Sequence, residues 1–149
     1  LLHYFLRILK FVINMEENTK KRTPFGMHLM IDAYNCNPEV LGDKDQVYNI
    51  LDMLPEKIGM HKMMEPYVLW SDGNDIKDPG GWSGFVMIQE SHISIHTFIK
   101  RRFVTIDVYS CKEFDTDTAI QFFKDKLKTD DMEINKQVRG TRYPQEDID

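Results

Sequence analysis

Between Gln89 and Thr97 the chain sets Glu90, Ser91, His92, Ser94 and His96 among Ile93, Ile95 and Thr97, so two imidazoles, two hydroxyls and a carboxylate crowd one short segment. Imidazoles move protons near neutral pH, and a hydroxyl attacks a carbonyl when a base helps it. A strand built only for packing would carry Val, Ile or Thr at positions 92, 94 and 96, because each polar group at a buried strand position needs a hydrogen-bond partner. Read alone, the segment also suits a half-buried strand with a wet polar face. Two further residues complete the inventory: Ser83, in Trp82-Ser83-Gly84 upstream of Glu90, and Cys111, at the end of the strand that follows. Singly, Ser83 is a turn serine, His96 a hydrogen-bonded sheet residue and Cys111 a small hydrophobe. A zinc site from His61, His92, His96 and Cys111 is a second option, although strand alternation points His92 and His96 to one face without a third near ligand.

The elements that must position these groups follow from the hydrophobic pattern. Residues 28–34 read as an apolar strand closed by the turn-forming Asn35-Cys36-Asn37-Pro38. A helix follows, with Asp43 as cap, Val47, Ile50, Leu51 and Leu54 on one face, and Pro55 and Gly59 as its end. Residues 60–70 read as a second strand and 71–81 as a long polar loop; residues 84–89 form a third strand running into Glu90-Ser91. Residues 103–109 alternate as a strand should, with Val104, Ile106 and Val108 on one side. Asp115-Thr116-Asp117 then opens a helix with Ala119, Ile120, Phe122, Phe123 and Leu127 inward, and residues 132–138 form a last strand. Two similar halves, each laying a helix on the same sheet, predict an α+β two-layer sandwich with a largely antiparallel sheet and helices on one face. The bare second face would be covered by stacking two sheets in a dimer.

Composition narrows the function. A chain of 149 residues, 42% hydrophobic, suits one domain, and a net charge of -5 leaves no basic surface for nucleic acid. The two cysteines, Cys36 and Cys111, are too few for a disulfide scaffold and read as reduced thiols in a cytoplasmic protein. The apolar run of residues 1–14 is broken by Arg7 and Lys10, is too short to span a bilayer and lacks the layout of a signal peptide; its helical spacing also suits an amphipathic or membrane-surface helix, but no membrane partner is expected. Residues 1–24 are expected to be a leader, with Met15 as the native start, residues 25–144 the domain and residues 145–149 an acidic tail.

Glu-Ser-His-Ile-Ser-Ile-His-Thr, preceded by Ser-Gly-Phe-Val-Met-Ile-Gln and followed by Ile-Asp-Val-Tyr-Ser-Cys, resembles the prokaryotic S-adenosylmethionine decarboxylases, pyruvoyl enzymes that cut themselves at a Glu-Ser bond. The resemblance runs from Phe25 to Pro144 and includes Gly26-Met27-His28-Leu29 and Arg139-Gly140. It implies cleavage between Glu90 and Ser91, conversion of Ser91 to a covalent pyruvoyl group, assistance from His96 as base and from Ser83 as donor to the oxyanion, and Cys111 as proton donor in decarboxylation. In that chemistry the serine attacks the preceding carbonyl to give an ester, a base removes the Cα proton, the ester is eliminated as the Glu90 carboxylate, and the dehydroalanine left behind hydrolyses to pyruvoyl. The carbonyl so formed takes a substrate amine as a Schiff base and serves as electron sink. Ser91 and His96 would face opposite sides of a straight strand, so the chain is expected to bend at the cleavage point.

Where the family usually has Trp-Pro-Glu after the His-Thr, this chain has Phe98-Ile99-Lys100-Arg101-Arg102, a basic cluster in place of an acid. Tyr67, Trp70 and Trp82 are the candidates for stacking on an adenine ring. The expected activity is decarboxylation of S-adenosylmethionine for polyamine synthesis by a homodimer of processed protomers. Arginine or ornithine decarboxylation on the same fold is the alternative, with Asp72, Asp75 or Asp78 meeting the substrate cation. A non-catalytic regulatory paralogue is the third reading, and the joint presence of Ser83, Ser91, His96 and Cys111 speaks against it.

Overall fold

A computed structural model describes residues 23–74 and 76–147, so the expected start at Met15, most of the leader and the last two residues of the tail lie outside the described residues. The chain divides into two compact units, Gly26–Arg139 and a smaller one made of Leu1–Phe25 with Gly140–Asp149. Within the smaller unit, Phe25 donates its N–H to the Gly140 carbonyl at 3.2 Å and sets its ring, tilted by 53°, 4.7 Å from that of Tyr143.

The larger unit is a six-stranded sheet in the order β2-β3-β4-β5-β1-β6, every neighbouring pair antiparallel. Its strands are β1 (Gly26–Ala33), β2 (Tyr67–Ser71), β3 (Gly81–Ile88), β4 (Ser91–Phe98), β5 (Phe103–Ser110) and β6 (Met132–Arg139). Helices α1 (Pro38–Gly42) and α2 (Lys44–Lys57) follow β1, and α3 (Thr116–Leu127) follows β5. This is the expected α+β sandwich, and β1 lies between β5 and β6, so the two halves share one sheet.

The expected periodicities set the layers. Leu29, Ile31 and Ala33 of β1, Val86 and Ile88 of β3, Ile93 and Ile95 of β4, and Val104, Ile106 and Val108 of β5 are all buried under the helices. Val47, Ile50, Leu51 and Leu54 of α2 meet them, with Ala119, Phe122, Phe123 and Leu127 of α3. Gly84 lets α2 approach: a Cβ there would lie 2.8 Å from the Leu51 Cδ1 and 2.9 Å from the Val68 Cγ2. Asp43 caps α2 by accepting from the N–H groups of Asp45 and Gln46, and Asp115 caps α3 through Asp117 and Thr118. Bonds to Thr118 hold the Asp115 carboxyl below the usual range.

Three elements depart from expectation. Asn37-Pro38 opens a short helix, α1, where a turn was read: the Asn37 side chain accepts from Glu39 N–H, and Pro38 fits a first-turn position. Pro55 does not end α2, which continues to Lys57. The strand expected over 60–70 is confined to β2, with Lys62 joining β3 only through an isolated bridge to Ile88. Among the described residues, no helix is long and apolar enough to cross a membrane.

Among the described residues, no helix lies on the other face of the sheet. Its rows present Phe85 and Met87 from β3, His92, Ser94 and His96 from β4, and Asp107 and Tyr109 from β5. Tyr67, Leu69, Phe85 and Met87 are 53%, 53%, 40% and 41% exposed, a large apolar area at the β2-β3 side.

Candidate active site

Strands β3 and β4 form a hairpin in which Ile88 pairs with Ser91, leaving only Gln89 and Glu90 as the turn. Tight two-residue hairpins favour turns with positive φ in the loop, because these match the twist of the flanking strands. Neither Gln89 nor Glu90 has positive φ; Ser91, the next residue, does, at 152°. That value is sparsely populated by residues with a Cβ and costs about 1–3 kcal/mol. The expected bend therefore exists, and it falls on the residue after the Glu90–Ser91 bond.

The turn is held on two sides. The Cys111 N–H, one residue past β5, donates to the Glu90 carbonyl at 2.9 Å. From the other side the segment before β2 zips onto the hairpin: Gln89 N–H donates to the His61 carbonyl and Met63 N–H to the Met87 carbonyl, both at 2.9 Å. The Glu90 carboxylate accepts from the His61 backbone N–H at 3.2 Å and lies 3.1 Å from His61 Nδ1. Burial alone would push the Glu90 carboxyl up; the His61 ring and backbone N–H outweigh it and hold the group below the usual carboxylate range. Both terms act on the side chain and leave the carbonyl to Cys111.

Ser91 Oγ lies 3.2 Å from Nδ1 of His92, the next residue in the chain. Ser91 also sits opposite Ser110, so the exposed Cys111 follows directly beside the Glu90-Ser91 turn. Buried Ser110 anchors that strand end, its Oγ donating to the Lys112 carbonyl at 2.7 Å and accepting from the Lys112 N–H at 2.9 Å.

Ser83 and His96 form a second pair. They face each other across β3 and β4, with Ser83 Oγ 2.9 Å from His96 Nδ1. His96 is five residues along β4 from Ser91, roughly 16 Å at strand spacing. The structure thus brings Ser91 to Cys111 and Ser83 to His96, and it separates the two pairs within one chain.

The three aromatic candidates do not share a site. Tyr67 meets Phe85 on the open face, ring centroids 6.1 Å apart. Trp70 and Trp82 meet edge-on at 5.0 Å, and Trp82 Nε1 donates to the Gly42 carbonyl at 2.9 Å, which ties that ring to α1. A cavity of about 530 Å³ instead opens among Tyr34, Phe98 and Phe103, with Asn74, Lys77, Asp78 and Arg101 around it. Sequence reading passed over Tyr34, Phe98 and Phe103, although Phe98 stands two residues beyond His96 on the same strand face. The loop acids are engaged locally: Asp72 accepts from Trp70 Nε1 and Asp78 from Gly80 N–H, each at 2.8 Å. Asp75 lies outside the described residues. The residues considered for zinc are dispersed, His61 on Glu90 and His96 on Ser83, and no group of three or more His, Cys, Asp or Glu among the described residues could hold a metal ion.

Residues 27–140 match the family model described as S-adenosylmethionine decarboxylase. A protein of Thermococcus onnurineus named S-adenosylmethionine decarboxylase proenzyme is 32% identical over 116 residues, covering 77% of each chain. One of the same name from Thermodesulfovibrio yellowstonii is 38% identical over 88 residues, or 59% of this chain and 60% of the relative. In three dimensions the chain is similar to the crystal structure of the adenosylmethionine decarboxylase from Aquifex aeolicus, with a TM-score of 0.69, 21% identity and coverage of 86% of this chain and all of that one, a likeness of fold. The matched span runs from the second residue of β1 to the residue after β6 and takes in the strands that carry Ser83, Ser91 and His96 together with Cys111 just past β5, so the chain belongs to the S-adenosylmethionine decarboxylase family.

Proposed function

We propose that the chain is a proenzyme that cleaves itself between Glu90 and Ser91, converts Ser91 to a pyruvoyl group and then decarboxylates S-adenosylmethionine. The observation that carries this reading is the state of the Glu90–Ser91 bond, with φ at Ser91 of 152° and the Glu90 carbonyl held by the Cys111 N–H. Attack of Ser91 Oγ on that carbonyl moves negative charge onto an oxygen that already has a donor, the arrangement that stabilises an acyl-transfer oxyanion. Cleavage also removes the strain, because it breaks the Glu90 C–Ser91 N bond about which the Ser91 backbone is held; the nitrogen stays on Ser91 as an amine until the dehydroalanine hydrolyses and releases it as ammonia. The oxyanion role expected of Ser83 thus has a backbone donor in its place within one chain.

Ser91 fits a pyruvoyl precursor: it lies half-buried at the hairpin end, with its preceding carbonyl bonded to the backbone N–H of the exposed Cys111. Once formed, the group supplies a carbonyl that takes the substrate amine and withdraws electrons as carbon dioxide leaves. Cys111 returns a proton to the carbon that lost carbon dioxide. His96, about 16 Å away in the same chain, serves the Ser91 of a second copy. Two sheets stacked by their open faces about a two-fold axis would bury Tyr67, Leu69, Phe85 and Met87 and lay the Ser83–His96 pair of each protomer against the cleavage turn of the other. His96 then removes the Cα proton, oriented by Ser83.

In that arrangement the cavity walled by Tyr34, Phe98 and Phe103 receives the adenine by stacking. A basic amino acid would require a free carboxylate for its terminal cation, and Asp72 and Asp78 are engaged in their own loop. The test is release of labelled carbon dioxide by purified protein from carboxyl-labelled S-adenosylmethionine, arginine and ornithine in parallel. Release from the first alone is expected; release from arginine or ornithine alone would overturn the substrate assignment.

A further inference from the structure

We infer that His92 is the catalytic base of chain cleavage: it takes the Ser91 hydroxyl proton as Oγ attacks the Glu90 carbonyl and returns it to the Ser91 nitrogen as the peptide bond breaks. The inference rests on the self-cleavage reading and adds the residue that starts it. A serine hydroxyl is a weak nucleophile without a neighbouring base. His96 is paired with Ser83 roughly 16 Å along the strand from Ser91 in its own chain, and in a two-copy site it has a later task at Cα. Glu90 is committed to His61. The basic atom in contact with Ser91 Oγ is His92 Nδ1, at 3.2 Å.

Consecutive side chains on an extended strand point to opposite faces and do not meet. Ser91 and His92 meet because the backbone at Ser91 leaves the extended region, with φ at 152°. The distortion that strains the scissile turn thus also carries the hydroxyl to the imidazole. The ring is held in place: His92 meets Tyr109 of β5 edge-on, centroids 5.8 Å apart. Tyr109 lies 4.3 Å beneath the Arg139 guanidinium of β6 and 5.6 Å from the His28 ring of β1. His28 Nε2 is fixed in turn by Asp107 at 2.7 Å. Among the described residues, Tyr109 is thus the titratable group in ring contact with His92, and Arg139, His28 and Asp107 stand behind it on the neighbouring strands.

The step balances within the chain. The proton passes from Oγ to Nδ1, the Oγ–C bond forms, and the oxyanion keeps its bond from the Cys111 N–H. The C–N bond then breaks as His92 gives the proton to the departing nitrogen, leaving an ester and an amine with nothing gained or lost.

Full-length chain made by cell-free translation, followed by denaturing gel and intact mass, separates the stages. The His92→Ala and His92→Gln proteins, checked for fold by circular dichroism, are expected to cleave roughly 100-fold more slowly than the parent. Their uncut chain should resist hydroxylamine, because the Glu90–Ser91 link is still an amide. His96→Ala should accumulate an ester that hydroxylamine cuts. Added imidazole should restore cleavage to His92→Ala and leave Ser91→Ala uncut. Folded His92 variants that cleave within about threefold of the parent, or that stall as the ester, would overturn the role of His92. A first step in the parent that does not slow in acid would overturn it as well, whether or not the variants fold. A parent that never cleaves would instead refute the self-cleavage reading.

Discussion

Ser91→Gly and Ser91→Ala both remove the attacking hydroxyl, so both should remain single chains, and they differ only in what a Cβ costs at that backbone position. At a φ of 152° a residue with a Cβ carries about 1–3 kcal/mol of strain that glycine escapes. Glycine gives back about 0.5–1 kcal/mol through the greater freedom of its unfolded chain. The balance favours Ser91→Gly by about 1 kcal/mol at mid-range and by at most roughly 2.5 kcal/mol, a mid-range shift of about 2–4 °C in melting temperature for a chain of 149 residues. Thermal melts and urea titrations of the two uncleaved variants, at equal protein concentration and with intact mass confirming a single chain, measure the difference directly. A Ser91→Ala protein as stable as Ser91→Gly, or more so, would show that the cleavage turn stores no strain and remove one driving force from the proposed reaction.

Other outcomes follow from the separation of the two pairs. Coexpressed Ser91→Ala and His96→Ala chains should restore cleavage of the His96→Ala chain, because its Ser91 meets an intact His96 on the partner; gel analysis showing no cut chain would refute the two-copy site. Cys111→Ala keeps the backbone N–H that holds the Glu90 carbonyl, so cleavage should continue while carbon dioxide release falls at least about 100-fold; unchanged release would remove the thiol from the mechanism. Glu90 has a carboxyl held below its ordinary range, so its contribution to stability is present above that ordinary range and is lost as pH falls through the depressed value. Urea midpoints measured across acid pH should therefore fall less steeply for Glu90→Gln than for its parent, both in the Ser91→Ala background.

Much of the fold was legible because its elements follow simple periods. Alternation placed Val104, Ile106 and Val108 inward, and helical spacing did the same for Val47, Ile50, Leu51 and Leu54. The sequence also held signals that were read too simply. Asn37 before Pro38 is a cap followed by a first-turn proline, hence α1 rather than a turn. Residues 61–63 are drawn to the hairpin tip by the backbone bonds that fix Gln89 and Met87, a tertiary demand that local propensity does not contain. Spacing in the sequence singles out Ser83, Ser91, His96 and Cys111 as candidates, but their division into two pairs depends on register, which sets Ser83 opposite His96 and Ser91 opposite Ser110. Tyr67 and Trp70 are three residues apart and so fall on opposite faces of one strand, a parity argument that already separates them. His92 escaped notice as a participant because adjacent strand residues do not normally touch, and only the backbone at Ser91 shows that these two do.

The most direct test of the central claim is intact-mass analysis of the purified protein after incubation with S-adenosylmethionine and cyanoborohydride. The expected result is two chains, one ending at Glu90 and one beginning at residue 91 with a pyruvoyl group, the second alone gaining the mass of a reductively trapped amine. A single uncut chain, or a cut chain whose second fragment begins with an unmodified serine and gains no mass, would contradict it.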